Sequence, residues 1–80
     1  MITVYSKNNC PFCDRAKALL ESKNVPYTEV NIENNAESRQ MLLDKGLRSV
    51  PQIFNGSELL PGGFDGIAKQ SNEFFQLLKG

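Results

Sequence analysis

Residues Ile2 to Tyr5 are a run of β-forming side chains, and the polar stretch Ser6-Lys-Asn-Asn9 closes it, which predicts a short strand followed by a loop. Beyond the loop, Phe12/Cys13, Ala16, Leu19 and Leu20 recur three and four residues apart. That period predicts an amphipathic helix opening at Pro11 and stopping at Asn24, ahead of Val25-Pro26. Alternation returns from Tyr27 to Ile32, with Thr28, Val30 and Ile32 on one face and Tyr27, Glu29 and Asn31 on the other. A second strand follows, and a helical crossover between two strands implies that they pair in parallel.

Asn34-Asn-Ala-Glu37 has the form of a helix start, a side-chain cap with an acid that reaches back, and Gly46 is a suitable stop after Lys45. The expected helix is Ala36–Lys45. Val50-Pro-Gln-Ile-Phe54 reads as a third strand whose proline cannot donate to a ladder, placing Pro51 at the strand start or beside a ligand. Asn55-Gly56 is a strong hairpin signal, so Ser57 to Leu60 is expected to return antiparallel until Pro61-Gly62-Gly63 breaks it. A single final helix capped by Asp65 is predicted, with Ile67, Ala68, Ser71, Phe74, Phe75 and Leu78 as its buried stripe. The order βαβαββα describes an α/β fold: a four-stranded mixed sheet flanked by helices, without internal repeats.

Composition narrows the functional classes. Eighty residues fit one domain, 1–80, and a chain of that length buries only about 60–65% of its unfolded surface. Nine basic residues balance nine acidic ones, so the overall basic excess that phosphate backbones attract is missing and nucleic acid is not an expected partner. No basic leader precedes a long apolar run at the N-terminus, and no stretch approaches the span of a bilayer, so neither export nor a membrane is expected. The two cysteines lie three positions apart and close too small a loop to staple a secreted mini-domain, which favours a reducing cytoplasm. Two cysteines and no histidine also fall short of a structural zinc site, so no metal is expected within one chain.

The chemistry concentrates at Asn9-Cys10-Pro-Phe-Cys13. A cysteine just before a helix faces unpaired N–H groups at the positive end of the helix dipole, and both favour the thiolate, the reactive form. Pro11 suits the first helical position, where an N–H has no partner. Cys10 is therefore placed as the cap and attacker, and Cys13, one turn inside, as the covered sulfur that resolves a mixed disulfide.

With these motifs in order, the chain resembles a glutaredoxin. The resemblance rests on Tyr5-Ser-Lys-Asn-Asn-Cys-Pro-Phe-Cys13, Arg48-Ser-Val-Pro-Gln-Ile-Phe54 and Gly62-Gly-Phe-Asp65, and extends over nearly the whole chain. It implies a thioredoxin-like fold, a Cys10/Cys13 dithiol, glutathione as co-substrate with no tightly bound cofactor, and a monomer acting on protein disulfides. It also implies a cis bond before Pro51 and a Val50 backbone offered to the peptide part of glutathione, with Ser49 in place of a threonine.

Within that resemblance Lys7 brings positive charge to the sulfur and to a glutathione carboxylate, or is a solvated loop lysine. Arg48 holds the glycyl carboxylate or is an ordinary surface arginine. Gly63 permits a close backbone approach, and Asp65 meets the γ-glutamyl ammonium, caps its helix, or does both. Phe12 stands where tyrosine is frequent and keeps a ring for substrate packing.

Gly66 stands where a second acid is usual. Phe64 resembles the short glutaredoxin-like donors to ribonucleotide reductase, some of which take electrons from thioredoxin reductase. A dimer bridged by a glutathione-ligated [2Fe–2S] cluster is the remaining family alternative, and Pro11 argues against it.

Overall fold

The computed structural model of the chain describes residues 1–79. Eight elements run in the order β1 (Ile2–Ser6), α1 (Pro11–Ser22), β2 (Tyr27–Asn31), α2 (Ala36–Asp44), β3 (Gln52–Asn55), β4 (Glu58–Leu60), α3 (Gly63–Ala68) and α4 (Asn72–Lys79). The strands form one sheet in the order β2-β1-β3-β4. β1 and β2 are parallel, as the crossover through α1 requires, and β3 is antiparallel to both β1 and β4. This is the expected mixed four-stranded α/β fold.

Both long helices stop where the sequence gives the backbone a residue that tolerates left-handed φ. Asn24 (φ 58°) follows α1, and Gly46 (φ 77°) follows α2. In each case the next amide closes a wide turn back onto the helix: Val25 N donates to Leu20 O at 2.9 Å, and Leu47 N to Leu42 O at 2.8 Å. Val25 is buried at that point, so the stop signal also delivers an apolar side chain to the core.

Period two in β1 buries Ile2, Val4 and Ser6 on one face, with Ile53 and Leu60 beside them. Ala16 and Leu20 from α1, Val25, Ile67 from α3 and Phe75 from α4 complete a core cluster. Each large aliphatic side chain there contributes about 1.5–3 kcal/mol by leaving water. On the opposite face Tyr5 meets Phe54 edge-on, with ring centroids 5.5 Å apart. No helix among the described residues is long and apolar enough to cross a membrane.

The C-terminal segment departs from the single predicted helix. It breaks at Lys69–Ser71, and Ser71 is the reason: its Oγ accepts from the Phe74 N–H at 3.4 Å, which starts a new helix. Counting Ser71 as a helical position extended the apolar period across a cap. Ser71 and Ala68 are exposed accordingly, while Ile67 and Phe75 are buried and Phe74 and Leu78 pack against the core. Asp65 is also not a cap. Gly62 (φ 90°) occupies that position, and Asp65 lies inside the first turn of α3. Two successive positive-φ glycines let the helix start before the acid is reached.

Candidate active site

β1 ends at Ser6, and the loop after it sets Cys10 in extended backbone (φ −119°, ψ 96°) as the N-cap of α1. Its Sγ accepts from the Cys13 N–H at 3.2 Å, and Pro11 fills the first helical position. The two sulfurs are joined in a disulfide, with Cα atoms 5.2 Å apart. Cys10 keeps 8% of its surface and Cys13 only 1%, so an incoming group reaches Cys10 first.

Opposite the pair runs the segment before β3. The Val50 carbonyl oxygen is 3.9 Å from Cys10 Sγ, and the Val50–Pro51 bond is cis. Gln52, buried at the start of β3, donates from Nε2 to the Ser49 carbonyl at 2.8 Å and so holds the loop in place. Gly63 closes the arrangement from the other side. A Cβ there would lie 2.9 Å from the Pro51 carbonyl oxygen, so only glycine lets α3 begin this close to the loop.

Two depressions flank the loop. The larger, about 540 Å³, is lined by Phe12, Ser49, Val50, Pro51, Gly63 and Asp65 among others. The smaller, about 180 Å³, is lined by Lys7, Arg39, Arg48, Ser49, Val50 and an apolar floor from α2. They share Leu47, Ser49 and Val50. One therefore carries a carboxylate and the other carries cations, with the Cys10-facing backbone between them.

The sequence-derived residues thus divide. Phe12, Pro51, Gly63 and Asp65 belong to one depression, Lys7 and Arg48 to the other, and Ser49 and Val50 to both. Phe64 lines neither; its ring lies 6.2 Å from that of Phe12, and Arg15 covers the other aromatic at 5.0 Å. Phe12 remains half exposed beside the disulfide. Sequence reasoning missed Arg39 and Gln52. Arg39 was legible as the residue one turn before Leu42 and Leu43 on α2, and Gln52 only through its place two residues after Val50.

A polar network braces the base of the active-site loop. Buried Ser6 donates to Glu29 Oε2 at 2.7 Å, and Lys17, one turn beyond Cys13, pairs with the same oxygen at 2.9 Å. The Lys17 and Ser6 hydrogen bonds hold the Glu29 carboxyl below its ordinary value, and the Glu29 bond raises Lys17. A depressed carboxylate stabilises the fold above its unfolded pKa and loses that contribution as pH falls through the folded value. Glu29→Gln is therefore expected to cost about 0.5–1 kcal/mol at pH 7, the range of a partly exposed pair. Thermal unfolding should show the gap to wild type closing below pH 4; a gap unchanged at pH 3 contradicts the ion pair.

Comparison with known proteins decides the family, since the glutaredoxin family profile matches residues 2–60. The chain belongs to the glutaredoxin family. Glutaredoxin 3 of Escherichia coli K12 is 42% identical over 62 residues, covering 76% of this chain and 75% of its own. Among solved glutaredoxins, that of Brucella melitensis superposes with a TM-score of 0.77 at 36% identity, covering 98% of this chain and 87% of that one. The buckwheat glutaredoxin–glutathione complex shares the fold with a TM-score of 0.75 at 24% identity, covering 95% and 72%. Glutaredoxins are thioredoxin-fold oxidoreductases, and the Cys10–Cys13 pair supplies the redox-active dithiol here.

Proposed function

We propose that the chain is a glutathione-dependent thiol–disulfide oxidoreductase that reduces protein disulfides and glutathione mixed disulfides. One observation carries the reading: Val50, whose carbonyl oxygen is 3.9 Å from Cys10 Sγ, lines both an acid-bearing depression and a cation-bearing one. Glutathione has matching chemistry, an α-ammonium at one end, a glycyl carboxylate at the other and its thiol between them. Asp65 would take the ammonium, Lys7 and Arg48 the glycyl carboxylate, and Val50 the cysteinyl backbone. Phe12, beside Phe64, offers its exposed ring to the protein half of a mixed disulfide.

In the cycle, the Cys10 thiolate attacks a substrate disulfide and expels one thiolate, leaving a mixed disulfide on Cys10. The Cys13 thiolate then attacks the Cys10 sulfur and expels the second, so two electrons have passed to the substrate. One glutathione thiolate reopens the Cys10–Cys13 bond by attacking Cys10, and a second attacks the glutathione sulfur, releasing glutathione disulfide. The Cys13 N–H that caps onto Cys10 Sγ stays in place for the thiolate, where a charged acceptor strengthens it.

A coupled assay on a glutathionylated peptide tests the reading, supplied in parallel with glutathione plus glutathione reductase and with thioredoxin reductase. Turnover is expected with the first, and turnover confined to the second overturns the reductant. In the same assay Cys13→Ser should keep removal of glutathione within about tenfold while losing reduction of protein disulfides that need both thiols. Equal loss of both activities contradicts the resolving role.

A further inference from the structure

The loop that delivers Cys10 is short and exposed, yet one of its residues is held at three atoms. Lys7, Asn8 and Asn9 follow β1, all of them exposed, and Asn9 turns the chain at a φ of 55°. Among the described residues, the side-chain hydrogen bonds that reach these three positions all fall on Asn8. Glu33 Oε1 accepts from the Asn8 backbone N–H at 2.9 Å, and Glu33 Oε2 accepts from Asn8 Nδ2 at 3.3 Å. Asn31 Nδ2 donates to Asn8 Oδ1 at 2.9 Å. One carboxylate and one amide thus take up both donors and the side-chain acceptor of a single loop residue.

The holding side is ordered by its own hydrogen bonds. Ile32 N donates to Ser6 O at 2.8 Å, which ties the chain beyond β2 to the end of β1. Glu33 N donates to Asn31 Oδ1 at 2.9 Å and Asn34 N to Asn31 O at 3.1 Å, so the turn that carries the carboxylate is closed by its own asparagine.

Two residues past Asn8, Cys10 owes its thiolate character to its place as N-cap, in extended backbone with Sγ on the Cys13 N–H at 3.2 Å. In the oxidised form the disulfide itself holds Cys10 to that turn. Reduction removes this tie and leaves the loop to set how the chain enters the cap. We propose that Glu33 and Asn31, acting through Asn8, are positioning residues that keep the Cys10 thiolate at the N-terminus of α1 in the reduced protein. Their effect on the sulfur runs through the chain from Asn8 to Cys10. The proposal rests on the attacking role of Cys10 and is independent of which thiol reduces the pair.

The pH profile of Cys10 alkylation by iodoacetamide, in the pre-reduced protein, separates this role from two simpler ones. Removing a carboxylate's charge, acting through space, favours the thiolate and moves the profile to lower pH. Releasing the clamp disfavours the thiolate and moves it to higher pH. A contribution to stability alone lowers Tm and leaves the profile in place. Glu33→Gln keeps the side chain's size but offers one acceptor oxygen where Asn8 presents two donors. Asn8→Ala opens the same clamp with no change of charge. The charged groups on the elements around Cys10 are the same in every variant: Lys7 on its own loop, Asp14 and Arg15 on α1, Arg48 ahead of β3 and Asp65 on α3.

Each single variant is expected to alkylate about threefold more slowly than wild type at a pH below the wild-type midpoint, the scale of a charge held at a helix end, with the high-pH plateau within about twofold. The double variant should match Glu33→Gln, because both changes open one unit. A profile moved to lower pH in Glu33→Gln, or unmoved in Asn8→Ala, overturns the proposal, and additive shifts in the double variant contradict a single clamp. Circular dichroism shows whether each variant is folded, and Asn8→Ala carries the test by itself if Glu33→Gln does not fold. Failure of the attacking role shows separately, as labelling of Cys13 ahead of Cys10 in the wild-type protein.

Discussion

Cys10→Ser is expected to lower turnover on every disulfide substrate by at least about a thousandfold, because it removes the sulfur to which the substrate must bond. Cys13 cannot take over. With 1% of its surface accessible it lies under the first turn of α1, and its backbone N–H points at Cys10 Sγ rather than at its own sulfur. Alkylation provides an independent readout. In the reduced protein, limiting iodoacetamide should label Cys10 well before Cys13, and at a pH where an ordinary thiol is largely protonated, because the helix N-terminus favours the thiolate. Residual turnover in Cys10→Ser, or preferential labelling of Cys13, would reverse the assignment.

Gly66→Ala is expected to destabilise the fold by more than about 2 kcal/mol, visible as a fall of roughly 10 °C in Tm for a domain of this size. The cause is space rather than conformation. No positive φ is needed at Gly66, but a Cβ there would collide with the Pro61 carbonyl oxygen, a backbone atom that no rotamer change can move. Gly66 N also donates to Gly62 O at 3.0 Å, so the contact sits inside the turn that opens α3. Displacing that turn moves Pro61, Gly62, Gly63 and Asp65, which line the larger depression, and KM for a glutathionylated substrate should rise with the loss of stability. Gly46→Ala is the matched control: its φ of 77° carries a conformational cost of about 1 kcal/mol, yet nothing lies within 4 Å of the added carbon. A Gly66→Ala protein within about 0.5 kcal/mol of wild type would show that the turn yields freely.

The same glycine shows where sequence reading reached and where it stopped. Gly66 looked like a missing acid, because the sequence does not say that Pro61 and Gly66 touch. Elements governed by local signals were legible: the period of α1, the left-handed stops at Asn24 and Gly46, and the Asn55-Gly56 hairpin all lie where they were expected. Errors arose where two local signals competed. Ser71 fits an apolar period and also caps a helix, and the cap won because its Oγ reaches the Phe74 N–H. Asp65 looked like a cap, but the backbone freedom of Gly62 and Gly63 started the helix ahead of it. Within the site, the residues fixed by motifs were recognisable, whereas Arg39 could be placed on the face of α2 that carries Leu42 and Leu43 but not beside Lys7, which depends on how α2 packs.

The sheet's outer strands bear on how the chain avoids pairing with other extended chains. β2 and β4 form the two edges, and each is short and abuts a proline, Pro26 before Tyr27 and Pro61 after Leu60. Neither edge offers a long unbroken ladder of backbone groups, so another chain's exposed strand finds little template there for fusing two sheets. The segment at Val50, by contrast, leads into interior strand β3 and faces Cys10. Extended chains therefore find little backbone to pair with at either rim, and the sheet is guarded against growing by edge-to-edge addition of a further copy.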